Sequence, residues 1–205
     1  MSNITRFAVR ARASLREELL EAAADLLPDK GYAGLRMADV ATRVGVSRQT
    51  VYNEFGNKAE LAQAVVLRTT STFLDGVNQR LTEAEDLLTG VHHAVTFTIE
   101  HAQADRLVAA ALGTGTAADL LPLLTTRGEP VLRAAMDLVR THYRSRLPDL
   151  EEATTELLAE TAVRLTLSHL VLPTHPAAGT ADAVCAVLGP ALRHAGQQPP
   201  GEPSQ

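Results

Sequence analysis

Apolar positions recur every three or four residues along almost the whole chain, and runs of strict alternation rich in β-branched residues are few. That pattern predicts an all-α protein of about nine helices. Ser14 and Glu17 have the spacing of a capping box and predict the start of the first helix. Leu15, Leu19, Ala22 and Leu26 line its inner face, and Pro28 and Gly31 end it. Two short helices are expected next, about 37–44 and 48–55, with Gly45 between them. A long fourth helix, about 58–81, carries Leu61, Val65, Thr72 and Val77 near one stripe.

Beyond it, Thr82 and Glu85 form a second capping pair, which predicts a fifth helix running to about residue 103. A short sixth spans about 105–112. Residues 113–128 are the least regular part, interrupted by Gly113, Gly115, Pro122 and Gly128. Pro130 suits the first turn of a seventh helix reaching about residue 146. Asp149 with Glu152 predicts the cap of an eighth, to Leu172 before Pro173, and Thr180 starts a ninth that ends near Ala195. The segments group into an N-terminal arm and three-helix domain (1–58), a helical domain (59–195) and a disordered tail (196–205).

Residues 37–58, MADVATRVGVSRQTVYNEFGNK, have the spacing of a helix-turn-helix. Ala41 is small enough for two helices to cross closely. Gly45 suits a turn of positive φ, and Val51 can pack back on the first helix. Ser47 can cap the second helix, which leaves Arg48, Gln49 and Thr50 at its exposed N-terminal end. Arginine can bond guanine, glutamine adenine, and threonine a thymine methyl group or a phosphate. Tyr52 and Asn53 are placed to reach phosphates.

Charge fits this reading although the 205-residue chain is net acidic at −5. Up to Lys58 there are nine Lys/Arg and seven Asp/Glu, a net of +2, and the remainder holds ten and seventeen, a net of −7. Arg6, Arg10, Arg12 and Arg16 give the head a basic arm just before its first helix. Hydrophobic residues make up 45%, which suits a folded protein. No apolar run reaches the roughly 20 residues of a membrane span, and no signal peptide is evident, so a cytoplasmic location is expected. The single cysteine, Cys185, excludes an internal disulfide and a cysteine metal cluster.

The segment GYAGLRMADVATRVGVSRQTVYNEFGNKAEL resembles the N-terminal domain of TetR/AcrR-type transcriptional regulators. The likeness is carried by Gly31-Tyr32, Asp39-Val40-Ala41, Val44-Gly45-Val46-Ser47, Thr50-Val51-Tyr52, Phe55, and Lys58 followed by Leu61. It covers about 50 residues, specific in order and spacing. The resemblance implies a homodimer with two DNA-binding heads on a palindromic double-stranded operator, and repression relieved by a small molecule bound in the helical core. It also implies phosphate contacts from Tyr52 and Lys58. The chain departs from the pattern at Arg36, which precedes the second helix where the family often opens it with threonine; Arg36 can make a charged phosphate contact instead. Gln49 stands where glycine is frequent, and Pro28 is unusual late in the first helix.

The expected eighth and ninth helices are apolar on more than one face: Leu157, Leu158, Val163, Leu165, Leu167, Leu170, Val171 and Leu172, then Val184, Val187 and Leu188. One face can fill the core while another pairs with a second subunit. The middle helices can enclose an apolar pocket with a few polar anchors. Phe97, His101, Arg106, Leu120, Leu138 and His142 are its candidate lining. Such a lining suits a hydrophobic effector with one polar or acidic end. The phrases ADLLPLLTTRGEPVL and AVRLTLSHLVLPT resemble actinobacterial regulators of alkane and fatty-acid oxidation, which implies a long-chain fatty acid or acyl compound.

Other chemistries fit poorly. His93 and His101 lie two helical turns apart with Phe97 between them, and no HExxH is present, so no metal and no cofactor is expected. Ser168 and His169 are adjacent on a helix and their side chains diverge, so no nucleophile–base pair forms there and no enzyme is expected. Activation is open to the same fold as an alternative to repression, because the chain does not encode where its operator lies.

Overall fold

The structure is a computed structural model describing residues 3–112 and 129–195, which form nine α-helices and, among the described residues, no strand. Candidate pocket residue Leu120, the irregular 113–128 segment and the 196–205 tail lie outside the described residues. The helices are α1 (Asn3–Gly34), α2 (Met37–Val44), α3 (Arg48–Phe55), α4 (Lys58–Glu83) and α5 (Leu87–Ala104), then α6 (Arg106–Leu112), α7 (Glu129–Arg146), α8 (Glu152–Val171) and α9 (Ala177–Ala195).

The first helix departs from the expectation at its start, and it runs through Pro28 before breaking at Gly31 as expected. It begins at Asn3, so the arm before Ser14 is helical, and Ser14 donates to Glu18 instead of capping. Pro28 sits inside the helix. The break falls at Gly31, whose φ of 64° and ψ of 175° lie outside the helical region and favour a residue without a Cβ. The inner face follows the four-residue repeat Leu19, Ala23, Leu27, each without exposed area, with Leu15 and Leu26 partly buried beside them.

Other boundaries have local causes. The fifth helix is capped by Asp86, not by Thr82 and Glu85: the Asp86 carboxylate accepts from the Thr89 amide (3.0 Å) and hydroxyl (2.5 Å), while Thr82 donates to the Asn78 carbonyl. Asp105 caps α6, accepting from the amides of Leu107 and Val108, both at 2.9 Å. Glu151 occupies the N-cap of α8 without a side-chain bond, so the expected Asp149–Glu152 box is not used. Helix α9 starts at Ala177, directly after Pro176, a turn earlier than Thr180 predicted.

The chain falls into two units, divided within α4 between Thr70 and Ser71. The first runs through Thr70 and also takes in α6. Its core joins the α1 face to Leu35, Met37, Val40, Ala41, Val51, Phe55, Leu61 and Val65, together with Leu107 and Ala111 from α6. The second unit holds the rest of α4 with α5 and α7–α9. Here α5 packs along α9 and α7 along α8, around Val77, Leu81, Val91, Val95, Tyr143, Leu158, Val184 and Leu188. Gly90 lets α5 approach the end of α4, where a Cβ would lie 3.2 Å from the Leu81 carbonyl oxygen.

Candidate functional site

The helix-turn-helix is built as its spacing requires. Gly45 takes φ 80° and ψ 28°, and the amides of Gly45 and Val46 both reach the Ala41 carbonyl at 3.0 Å, closing α2. Ala41 and Val51 are buried where the two helices meet. Ser47 is extended (ψ 151°) and its Oγ accepts from the Thr50 amide at 3.1 Å, satisfying one of the free donors at the start of α3.

That cap fixes which side chains α3 presents. Arg48, Gln49, Tyr52 and Asn53 are exposed and Thr50 is half-buried. Gln49 Nε2 donates to Asn53 Oδ1 at 2.8 Å, and the Ser47 and Thr50 hydroxyls lie 2.9 Å apart. The exposed polar side chains of α3 are thus linked to one another. Arg36 is the N-cap residue of α2, exposed, with no side-chain cap bond.

Lys58 has a second task beside the phosphate contact expected of it. Its Nζ donates to the carbonyls of Tyr32 (3.0 Å) and Ala33 (3.2 Å) and lies 4.6 Å from the Tyr32 ring centroid. The ammonium therefore satisfies the end of α1, and one of its three protons is left for another acceptor.

The basic arm is engaged as well. Glu54 on α3 receives Arg12 Nε on one carboxylate oxygen and Arg16 Nη1 on the other, each at 3.0 Å, and Arg16 also sits 4.6 Å over the Phe55 ring. Burial pushes the Glu54 pKa up; the hydrogen bonds and charges of Arg16 and Arg12 outweigh that and hold it below 4.5. Sequence reasoning missed this cluster because its members are 38 and 42 residues apart. The available signal was a lone acid in the second helix of the helix-turn-helix of a basic head.

The candidate ligand residues divide between the two units. Phe97 and His101 meet in the second: the Phe97 ring stacks on Phe73 (5.9 Å between centroids), and His101 lies 5.2 Å from Phe97. The Arg80 guanidinium covers the Phe97 ring at 3.7 Å and donates to the Gly76 carbonyl at 3.0 Å. Phe73 and Arg80 were missed, although they lie two turns apart on α4. Leu138 is half-buried against the same core. His142 is buried with Nε2 unpartnered among the described residues, as are Thr96 Oγ1 and the Tyr143 hydroxyl. Burial first, and the charge of Arg146 second, lower the His142 pKa.

Arg106 does not join these residues. It opens α6 in the first unit, where its exposed guanidinium pairs with Asp29 at 3.2 Å. Among the described residues no group of three His, Cys, Asp or Glu side chains could hold a metal ion, and no helix is long and apolar enough to cross a membrane. Leu157 on α8, Leu172 at its C-cap and Val187 on α9 remain 60–75% exposed.

Comparison with known proteins assigns the fold. Residues 19–65 match the family described as bacterial regulatory proteins, tetR family, and residues 86–190 match the bacterial tetracyclin repressor C-terminal domain. The chain belongs to the TetR family. Among TetR-family relatives, it is 33% identical over 172 residues to the HTH-type transcriptional regulator AlkX of Mycobacterium tuberculosis, covering 82% of this chain and 80% of that one. Over 71 residues it is 38% identical to the transcriptional activator FasR of Mycolicibacterium smegmatis, 35% of this chain and 32% of that one. A solved structure of the TetR family repressor AlkX from a Dietzia strain, implicated in biodegradation of n-alkanes, superposes with a TM-score of 0.70 at 26% identity, over 87% of this chain and 97% of that one. The protein is therefore a DNA-binding transcriptional regulator of the TetR family, and not an enzyme.

Proposed function

We propose that this regulator is a dimeric repressor that leaves its operator when a small hydrophobic effector binds the second unit. The observation that carries the DNA half is the order of α3. Its cap is closed, Gln49 is braced by Asn53, and Arg48 stands exposed at the end a major groove would receive. Arg48, Gln49 and Thr50 read base edges. Ser47, Tyr52, Asn53, Arg36 and the free proton of Lys58 serve the phosphates. The exposed Leu157, Leu172 and Val187 support pairing through α8 and α9. A two-fold dimer then reads a palindrome with half-sites about one helical turn, or a multiple of it, apart.

The effector half rests on the ring cluster of Phe73, Phe97 and His101, with Leu138 packed against the apolar core of the same unit and His142 buried in that unit. The implication of the Dietzia repressor in biodegradation of n-alkanes supports a long-chain fatty acid or acyl compound. Helix α4 belongs to both units, so a shift of its second half on binding is felt in its first. Effector and operator must then weaken each other by the same factor. The FasR relative supports the second reading, an activator on the same scaffold. A regulator of this kind works in the cytoplasm.

The test is fluorescence anisotropy on duplex DNA from upstream of the protein's own gene, over a series of salt concentrations. Specific binding whose affinity falls steeply with salt is expected, together with weaker binding on adding palmitate. Equal affinity at saturating palmitate removes the fatty-acid reading, and no specific binding removes the operator reading.

A further inference from the structure

We propose that Glu54 is a positioning residue, which holds Arg12 of the helical arm beside α3 as a contact for the DNA backbone. An acid in a DNA-reading helix is a liability. Glu54 lies one turn beyond Thr50 on the same side of α3, so its charge faces the neighbourhood in which Thr50 meets DNA. Two guanidiniums on one carboxylate reverse that local charge to a net of +1. The two arginines are held differently. Arg16 is bonded through Nη1 and covers the Phe55 ring, which ties it down against the head with its side chain 42% exposed. Arg12 uses only Nε, and its side chain is 72% exposed. Its two Nη groups carry four further N–H donors. Glu54 itself is only 11% exposed, so it is a fixed post to which a long, otherwise mobile side chain is tied. A guanidinium held in place binds phosphate with less loss of rotamer freedom than a free one.

This inference rests on the DNA-binding reading and makes a prediction opposite in sign to simple charge counting. Removing an acid near DNA should tighten binding if charge alone matters. If Glu54 positions Arg12, Glu54→Gln weakens it. The experiment measures anisotropy of the full-length protein on the upstream duplex across a salt series, for wild type, Glu54→Gln, Arg12→Ala and the double variant, with circular dichroism reporting folding. Arg12→Ala is expected to weaken binding about fivefold and to flatten the log–log salt dependence by about 0.9 for each head that loses one phosphate contact. Glu54→Gln is expected to weaken binding with a smaller change of slope, and to add no further loss once Arg12 is absent. A Glu54→Gln protein that binds as tightly as wild type or more tightly overturns the proposal. Should that variant fail to fold, Arg12→Ala, on the exposed surface, decides alone: an unchanged salt slope overturns it. Wild-type protein that shows no salt-dependent binding refutes the DNA-binding reading instead.

Discussion

Gly76 offers a substitution whose sign separates two physical effects. It lies inside α4, where alanine is favoured over glycine by about 1 kcal/mol. Helix propensity alone therefore predicts that Gly76→Ala stabilises. The structure predicts the reverse. A Cβ built on Gly76 would sit 2.5 Å from Phe97 Cζ and 2.8 Å from Cε1, closer than carbon atoms approach. The ring cannot retreat cheaply, because Arg80 covers it at 3.7 Å and is itself bonded to the Gly76 carbonyl, and Phe73 stacks beside it. Forcing a methyl into such a site costs roughly 1–3 kcal/mol. Loosening the cation–π and ring contacts adds roughly 0.5–1 kcal/mol each. The net expectation is a loss of about 1–4 kcal/mol, or a fall of roughly 2–16 °C in midpoint for a chain of this size. Thermal scans by circular dichroism would measure it. In a Phe97→Ala background the obstacle is gone, and Gly76→Ala should raise the midpoint by roughly 2–4 °C. A midpoint that rises with Phe97 present would refute the packing described for this cluster.

Three further outcomes can be stated. Arg48→Ala should weaken specific DNA binding by roughly 1–3 kcal/mol while the fold stays intact; unchanged affinity in anisotropy titrations would remove Arg48 from the base readers. Leu157→Glu combined with Val187→Glu should yield a single-subunit mass in analytical ultracentrifugation, since each buried aliphatic side chain contributes roughly 1.5–3 kcal/mol; a wild-type monomer at micromolar concentration would dispose of the pairing surface itself. His142 has a folded pKa below its ordinary value of 6.5, so below that pH the unfolded chain binds more protons than the folded one. Its contribution to stability should therefore be intact above about pH 6.5 and decline as the pH falls towards the folded-state value. Midpoints of wild type and His142→Gln measured from pH 7 to 5 should converge or cross on the acid side, and parallel curves would show that the imidazole is not held neutral.

How much of this was legible in the sequence follows from the range of the forces involved. The bounds of α2 and α3 could be read because Ala41, Gly45, Ser47 and Val51 act on neighbours within a turn or two. The core face of α1 was read correctly but too narrowly: Leu19 and Ala22 are buried with Leu15 and Leu26 packed beside them, and the face extends to Leu20, Ala23 and Leu27. The capping errors were also local. Ser14–Glu17 and Thr82–Glu85 have the correct spacing, but the helix already running through Ser14, and the stronger carboxylate acceptor Asp86, set the true ends. What could not be read was partnership across distance. Glu54 with its arginines, Lys58 with the end of α1, and Arg80 over Phe97 all depend on which helices meet. Arg106 was expected at the pocket because nothing in a seven-residue apolar helix says which core it joins.

The place of α6 bears on how such regulators can be rebuilt. Leu107 and Ala111 are buried in the core of the first unit, although they follow α5 in the chain. A DNA-binding fragment cut after α4 would expose the apolar floor that these residues cover, and would be expected to aggregate. The same holds for chimeras: a head transplanted onto a foreign sensor at any point up to residue 70 meets a stranger's α6. Exchange of specificity between regulators of this architecture should therefore succeed when residues 105–112 travel with the head, and lose solubility when they are left behind.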